Sequence, residues 1–437
     1  MRILTLGFVY GLSLLCCLDE VVSAEEVNQQ TVEKWLDQLS TGTRSERANA
    51  QRELLEAGPR VLEWFPAIES VRDVAAREQL RRIRIELERR SAKESVQASL
   101  LTLSGEMPLR DALREIADQS GNALQFGDLS PQRLAEVVST DFQSVPFWQV
   151  MTSLAERAEF HWKRAKFERE LVLIDGAGES AVASQVLGSV LFQVISIKTR
   201  PIGTDGKRHL FRMRCRLAVE PRLRPLFLSV SARNLKLRDA AGTRLRPYNP
   251  DAQYELTLGE SGEVAFDVDF VSEDTNVDWH ECDFQGRLDL TVAAGTETIR
   301  FRNLARSTGA SRRRGGVIVT LREISRSQTG NDRILKTRLA VAYETGGPAF
   351  ESHRTWIYHN QAFLEGPNGE RQQRDAGFST ELATDGGAIL EYSFRNPPFP
   401  PDETDFLYVA PTLITELPIE FHFPRLLDPK RAVDTSN

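Results

Sequence analysis

The sequence predicts a multidomain α+β protein: a short helical-repeat piece, a small βαββαββ module, and two tandem antiparallel β-sandwich domains. Three observations carry that prediction. Apolar residues recur at helical spacing over residues 27–92 and at a period of two beyond residue 187. One stretch of the second half occurs twice. The length of 437 residues exceeds one ordinary core and suits about three or four domains.

The repeated stretch is clearest at Arg216-Leu217-Ala218-Val219, which returns as Arg338-Leu339-Ala340-Val341. Asn234-Leu235-Lys236-Leu237 is echoed by Gln361-Ala362-Phe363-Leu364, and Ser261-Gly262 by Asp385-Gly386. Ile299-Arg300-Phe301 is echoed by Ile419-Glu420-Phe421. The offsets lie between 120 and 127 residues, as loop insertions in a duplicated unit would give.

Residues 1–24 read as a secretory signal peptide, with Arg2 as the basic start, an apolar run from Ile3 to Leu18, and Val22-Ser23-Ala24 as a small-residue cleavage site. An exported protein, periplasmic or extracellular, is therefore expected. No later stretch is apolar enough to span a bilayer, so no transmembrane segment is expected after cleavage. The formal charge is −7. That mildly acidic balance argues against a general nucleic-acid binder.

Cleavage leaves Cys215 and Cys282. An oxidising compartment permits a disulfide between them. Both also share parity with apolar neighbours on their strands, which suits two buried thiols, and the sequence leaves both readings open. No CxxC is present, so neither a redox pair nor a zinc knuckle is supported.

Residues 27–92 are expected to be helical. Trp35, Leu36 and Leu39 lie on one face of a helix opened by Thr31. Ser45 is placed to cap a second helix, which Gly58-Pro59 ends. A short helix and then a longer one, from about Val71 to Arg90, follow. The run Arg47-Ala48-Asn49-Ala50-Gln51-Arg52-Glu53-Leu54-Leu55-Glu56-Ala57-Gly58-Pro59 resembles HEAT-type repeats. The resemblance covers about 60 residues, at most two repeats, and implies a piece that stacks against a neighbour or a partner.

Residues 96–176 change period. A strand at Val96 to Leu103, an amphipathic helix from Pro108, a strand at Ala123 to Phe126, a third near Ala135 to Ser139, a helix from Ser144 and two closing strands make the βαββαββ order. Pro108-Leu109 through Ser120-Gly121, with Val145-Pro146-Phe147-Trp148 and Val150-Met151 behind, resembles the short N-terminal domain of secretins and TonB-dependent receptors. In that family the domain is a periplasmic protein-interaction module. The barrel region of those proteins is not matched, so the resemblance implies a binding fold and not transport.

Two β domains are expected at 187–305 and 316–428, joined by a flexible basic linker at 306–315 that holds Arg312-Arg313-Arg314. Strict alternation supports half-buried strands: Phe211, Met213, Cys215 and Leu217 against Arg212, Arg214 and Arg216, and Val264 to Phe270 against Asp267 and Asp269. Frequent turn signals between such strands suit antiparallel sandwiches.

No GxSxG or HExxH motif occurs. His353 and His359 lie about 20 Å apart along an extended strand, too far to share a metal without a bend. Trp279, Trp356 and Tyr358 are candidates for stacking on a sugar or peptide. Asp274, Asp278, Asp402 and Asp405 are weak calcium candidates, because the spacing fits no EF-hand and a solvated acidic loop explains them. No cofactor is expected. The resulting expectation is an exported, non-enzymatic scaffold that binds another envelope protein, with carbohydrate- or calcium-dependent surface binding by the sandwiches as the alternative.

Overall fold

A computed structural model describes residues 27–66, 68–164, 169–203, 208–258, 261–273, 277–343, 360–384 and 387–426. The signal-peptide reading, Asp274, His353, Trp356, Tyr358 and His359 lie outside them. The chain divides into two compact units, Met1–Glu88 and Arg89–Asn437. The fold is α+β and dominated by antiparallel sheets. Among the described residues, no helix is long and apolar enough to cross a membrane.

The first unit holds α1 (Gln29–Thr41), α2 (Arg44–Ala57), two short 3-10 turns and most of α3 (Val74–Ser95). Its caps differ from the expected ones. Asn28, not Thr31, caps α1 by accepting from Thr31 N at 3.0 Å. Thr43, not Ser45, caps α2 through a reciprocal box with Glu46, which satisfies two helix-end N–H groups at once. Gly58 takes φ +80°, which ends α2 before Pro59. Val32, Leu39, Ala50, Leu54, Val61, Ile83 and Leu87 form its core.

The second unit opens with β1 (Leu100–Pro108), α4 (Leu109–Ser120), β2 (Ala123–Gln125), α5 (Pro131–Ala135), β3 (Val137–Pro146), α6 (Phe147–Arg157), β4 (Phe160–Arg164) and β5 (Glu170–Asp175). β1 and β3 pair antiparallel, and β5 lies between a parallel β2 and an antiparallel β4. α4 buries Leu109, Ala112, Leu113 and Ile116, one helical stripe. α6 buries Phe147, Trp148, Val150, Met151 and Leu154. β3 runs further than expected because Val138, Thr140 and Phe142 alternate inward up to Pro146.

A buried polar knot ties this part to the β region that follows. Glu220 is 1% exposed and accepts from Ser99 N (2.9 Å), Ser99 Oγ (2.7 Å) and Arg222 Nε (2.7 Å). Asn122 Nδ2 donates to the same carboxylate at 3.3 Å, and its Oδ1 accepts from Arg222 N at 2.9 Å. Arg222 also donates to the Ser95 and Gln97 carbonyls. Trp148 Nε1 donates to Ser189 O at 3.2 Å, and Arg164 lies 5.6 Å over the Trp148 ring. Desolvation holds the Arg164 guanidinium down to about 10.

The remaining strands fall into two copies. The first contains β6 (Ala183–Leu187), β7 (Val190–Ile202), β8 (Arg208–Val219), β9 (Arg224–Ser231), β10 (Leu235–Arg238), β11 (Arg244–Pro247), β12 (Gln253–Thr257), β13 (Glu263–Ser272) and β14 (Asp283–Phe301). The second contains β15 (Ser311–Arg314), β16 (Val317–Thr329), β17 (Asp332–Tyr343), β18 (Gln361–Glu365), β19 (Arg371–Gln373), β20 (Phe378–Thr384), β21 (Gly387–Arg395) and β22 (Asp405–Phe423). Pairings β7–β8–β13 and β11–β10–β14 recur as β16–β17–β21 and β19–β18–β22. On β8 and β13, Arg212 faces Asp269 and Arg214 faces Asp267, with ion pairs of 2.7 and 3.4 Å.

The two copies are not separate modules on a string. β14 and β22 pair antiparallel along nearly their whole length, so one sheet runs through both copies. Phe284, Leu288, Leu290 and Val292 of β14 enter the first core together with Ile419, Phe421 and Phe423 of β22. Ile299 and Phe301 enter the second core with Phe406, Tyr408 and Ala410. The expected linker at 306–315 is also largely built in: Ser311–Arg314 is a strand of sheet β15-β16-β17-β21-β20. Its backbone groups find partners on β16, which a free linker would leave to water.

Candidate functional site

The outer face of the shared sheet carries a groove of about 740 Å³. Its floor is β14, where Gln285, Arg287 and Asp289 alternate with the core residues Phe284, Leu288 and Leu290. β10 and the turn before it supply Lys236, Asn234 and Arg233, and β22 supplies Glu420 and His422. Gln185 of β6 closes one end, its Oε1 accepting from His422 N at 3.1 Å. Gly286 allows the close crossing of β10, because a Cβ there would meet Leu235 Cδ2 at 2.7 Å and Asn234 O at 2.8 Å.

Most charges of the groove are neutralised within the protein. Arg233 pairs with Asp251 at 2.6 Å, Arg287 with Asp289 at 2.9 Å, and His422 Nε2 with Asp283 at 2.8 Å. Lys236 and Glu420 are exposed, and their side chains have no ion pair or hydrogen bond among the described residues. Lys236 stands opposite Gln285, which stands opposite His422, while Glu420 faces Arg287. Two strand spacings and two residues of rise put the Lys236 and Glu420 Cα atoms about 12 Å apart.

The matching place in the second copy is built differently. β14 and β22 open at Asp283 and Asp405 and close at Phe301 and Phe423, an offset of 122 residues (405 minus 283) at both ends. Within these strands the offset is 122 and not the 120 expected from Ile299 and Ile419. Lys236 facing Gln285 thus corresponds to Phe363 facing Leu407, and Arg287 to Val409. The His422–Asp283 contact returns as Arg300–Asp405 at 2.9 Å. Where the first copy is polar throughout, the second sets Phe363, Leu407 and Val409 beside Thr298 and Arg300, and Leu407 is only 1% exposed.

The residues singled out from sequence do not gather at this groove. Cys215 and Cys282 are free, buried and in the same core, so the disulfide alternative is replaced by two thiols. Cys282 Sγ donates to Asp278 O at 3.6 Å, and burial pushes its thiol up to about 12. Asp278 accepts from His280 Nδ1 (2.8 Å) and His280 N (3.0 Å), which holds it below the usual carboxylate range. Trp279 is half-buried against the first core and stacks on His280 at 3.5 Å. Asp402 supplies its carbonyl to Asn303 Nδ2 at 2.8 Å.

Asp405 is bound by Arg300 and by Asn303 N, both at 2.9 Å. Arg300 continues to Glu365, which Arg371 also holds at 2.7 Å. Those hydrogen bonds, Arg371 first, keep Glu365 below the usual carboxylate range. Among the described residues, no group of three or more His, Cys, Asp or Glu side chains is arranged to hold a metal.

No protein-family model matches the chain, and no curated protein matches it.

Proposed function

We propose that this chain is an exported, non-enzymatic interaction protein of the cell envelope. The observation that carries this reading is the polar groove on the shared sheet, an open concave surface with a free cation and a free anion on opposite walls. Both walls are backed by packed strands, so the groove is held in shape before any ligand arrives, which lowers the ordering cost of binding. The partly apolar counterpart in the second copy, with Phe363 at the place of Lys236 and Leu407 at that of Gln285, supports the assignment, because the fold itself does not require polarity at those places.

The modules fit this reading. The helical unit is taken as HEAT-like, the βαββαββ part as similar to the secretin and TonB short N-terminal domain, and the two copies as a fused pair of β-sandwiches. Each is a binding scaffold elsewhere, and fold alone does not set function.

Residues 25–437, used as bait against native envelope extract, test the proposal. A defined protein retained above control beads is the expected result. Retention of nothing beyond the control, or of glycan alone, would overturn it.

A further inference from the structure

We infer that the groove takes an extended polypeptide segment carrying an acidic and a basic side chain on the same face, about four residues apart. This rests on the interaction reading above and specifies its ligand.

The argument begins with the groove's charges. Arg233 and Arg287 are paired within the protein and His422 is held by Asp283, leaving Lys236 on the β10 wall and Glu420 on the β22 wall. A ligand that satisfies both must present opposite charges across about 12 Å. An extended chain places residues i and i+4 about 13 Å apart on one face, within reach of long side chains. On the floor and on the β10 wall, Gln285 and Asn234 offer amide donors and acceptors of the kind a peptide backbone matches. The lining holds no tryptophan or tyrosine, its one phenyl ring, Phe421, is 4% exposed, and the His422 imidazole is tied to Asp283, so the groove offers no broad ring face to a sugar.

The duplication strengthens the assignment. At the same register the second copy replaces Lys236 with Phe363 and Glu420 with Thr298. Both members of the free pair are therefore specific to the first copy, although the strands beneath are equivalent.

The test measures binding of fluorescent nonapeptides of threonine and valine to residues 25–437 at low ionic strength. One peptide carries glutamate and lysine four residues apart, and the other carries glutamine at both places. The charged peptide should bind more tightly, and Lys236→Glu or Glu420→Lys should each weaken it about threefold to tenfold. The double exchange should restore binding, because an extended strand can enter in the opposite direction. Equal binding of both peptides, binding of neither, or indifference to the single exchanges would overturn the inference. An envelope protein retained equally by wild type and Lys236→Glu would sink this inference and leave the interaction reading standing. Peptide selectivity without any retained envelope protein would support this inference and sink that reading.

Discussion

Glu220 and Arg222 form a tightly enclosed ion pair, with the carboxylate side chain fully buried. Such a pair is neutral only while complete. Removing one partner leaves a buried charge without a counter-charge, which costs about 3–5 kcal/mol. Arg222→Ala should therefore lower the unfolding free energy of the second unit by that amount, whereas Arg233→Ala, at an exposed pair, should change it by under about 1 kcal/mol. Equal effects in chemical denaturation would show that the knot carries no special weight.

The buried titratable groups also set a pH limit. Desolvation raises Cys215, Cys282, Tyr343, Tyr392 and Tyr408 above their ordinary values. A raised folded-state value means that stability is fully present below the unfolded value and is lost as pH climbs. The loss should begin near pH 8.5 for the thiols and near pH 10 for the tyrosines. The melting temperature should fall through that range. Three of the seven tyrosines should ionise, by absorbance near 295 nm, only as the protein unfolds. Smooth ionisation of all tyrosines in the folded protein would contradict this.

At the scale of elements, local periodicity was readable and partnership was not. The alternation of Arg212 and Arg214 with Asp267 and Asp269 announced two half-buried strands, and the register then set the charges opposite each other. Gly58-Pro59 marked a helix end that the structure has, and Gly121, at φ +67°, closes α4. Residues 306–315 read as a linker because four arginines and two glycines mimic one, and only pairing with β16 makes part of it a strand. The groove was hidden for the same reason. Lys236, Arg287 and Glu420 are ordinary outward residues of three strands, and nothing local says that the strands are neighbours. Gly286 is the one local hint, a glycine within a long strand. Gly286→Ala should crowd Leu235 and Phe421 and cost about 1–3 kcal/mol, measured by thermal unfolding.

For the molecule as a whole, the recurrence of one pattern was visible in sequence but the way its two runs join was not, because β14 and β22 read alike and each is a plausible edge on its own. Their register shows an exchange. Phe284 pairs with Phe423 and Phe301 with Phe406, and the 122-residue offset carries Phe284 onto Phe406 and Phe301 onto Phe423. The pair is thus related to itself by a two-fold operation, as in an isologous interface between identical subunits. Each copy donates one end of its last strand to the other copy's core. The two cores should therefore respond to mutation crosswise. Phe423→Ala, near the end of the chain, should cost about 3–5 kcal/mol and raise hydrogen exchange in β7, β8 and β13 of the first copy. Phe301→Ala, at the end of the first copy, should cost as much and raise exchange in β16, β17 and β21 of the second. Independent sandwiches would give the reverse pattern, each mutation loosening its own copy. Mass-spectrometric hydrogen exchange on the two variants decides between them, because the strands in question are separated in sequence and yield distinct peptides.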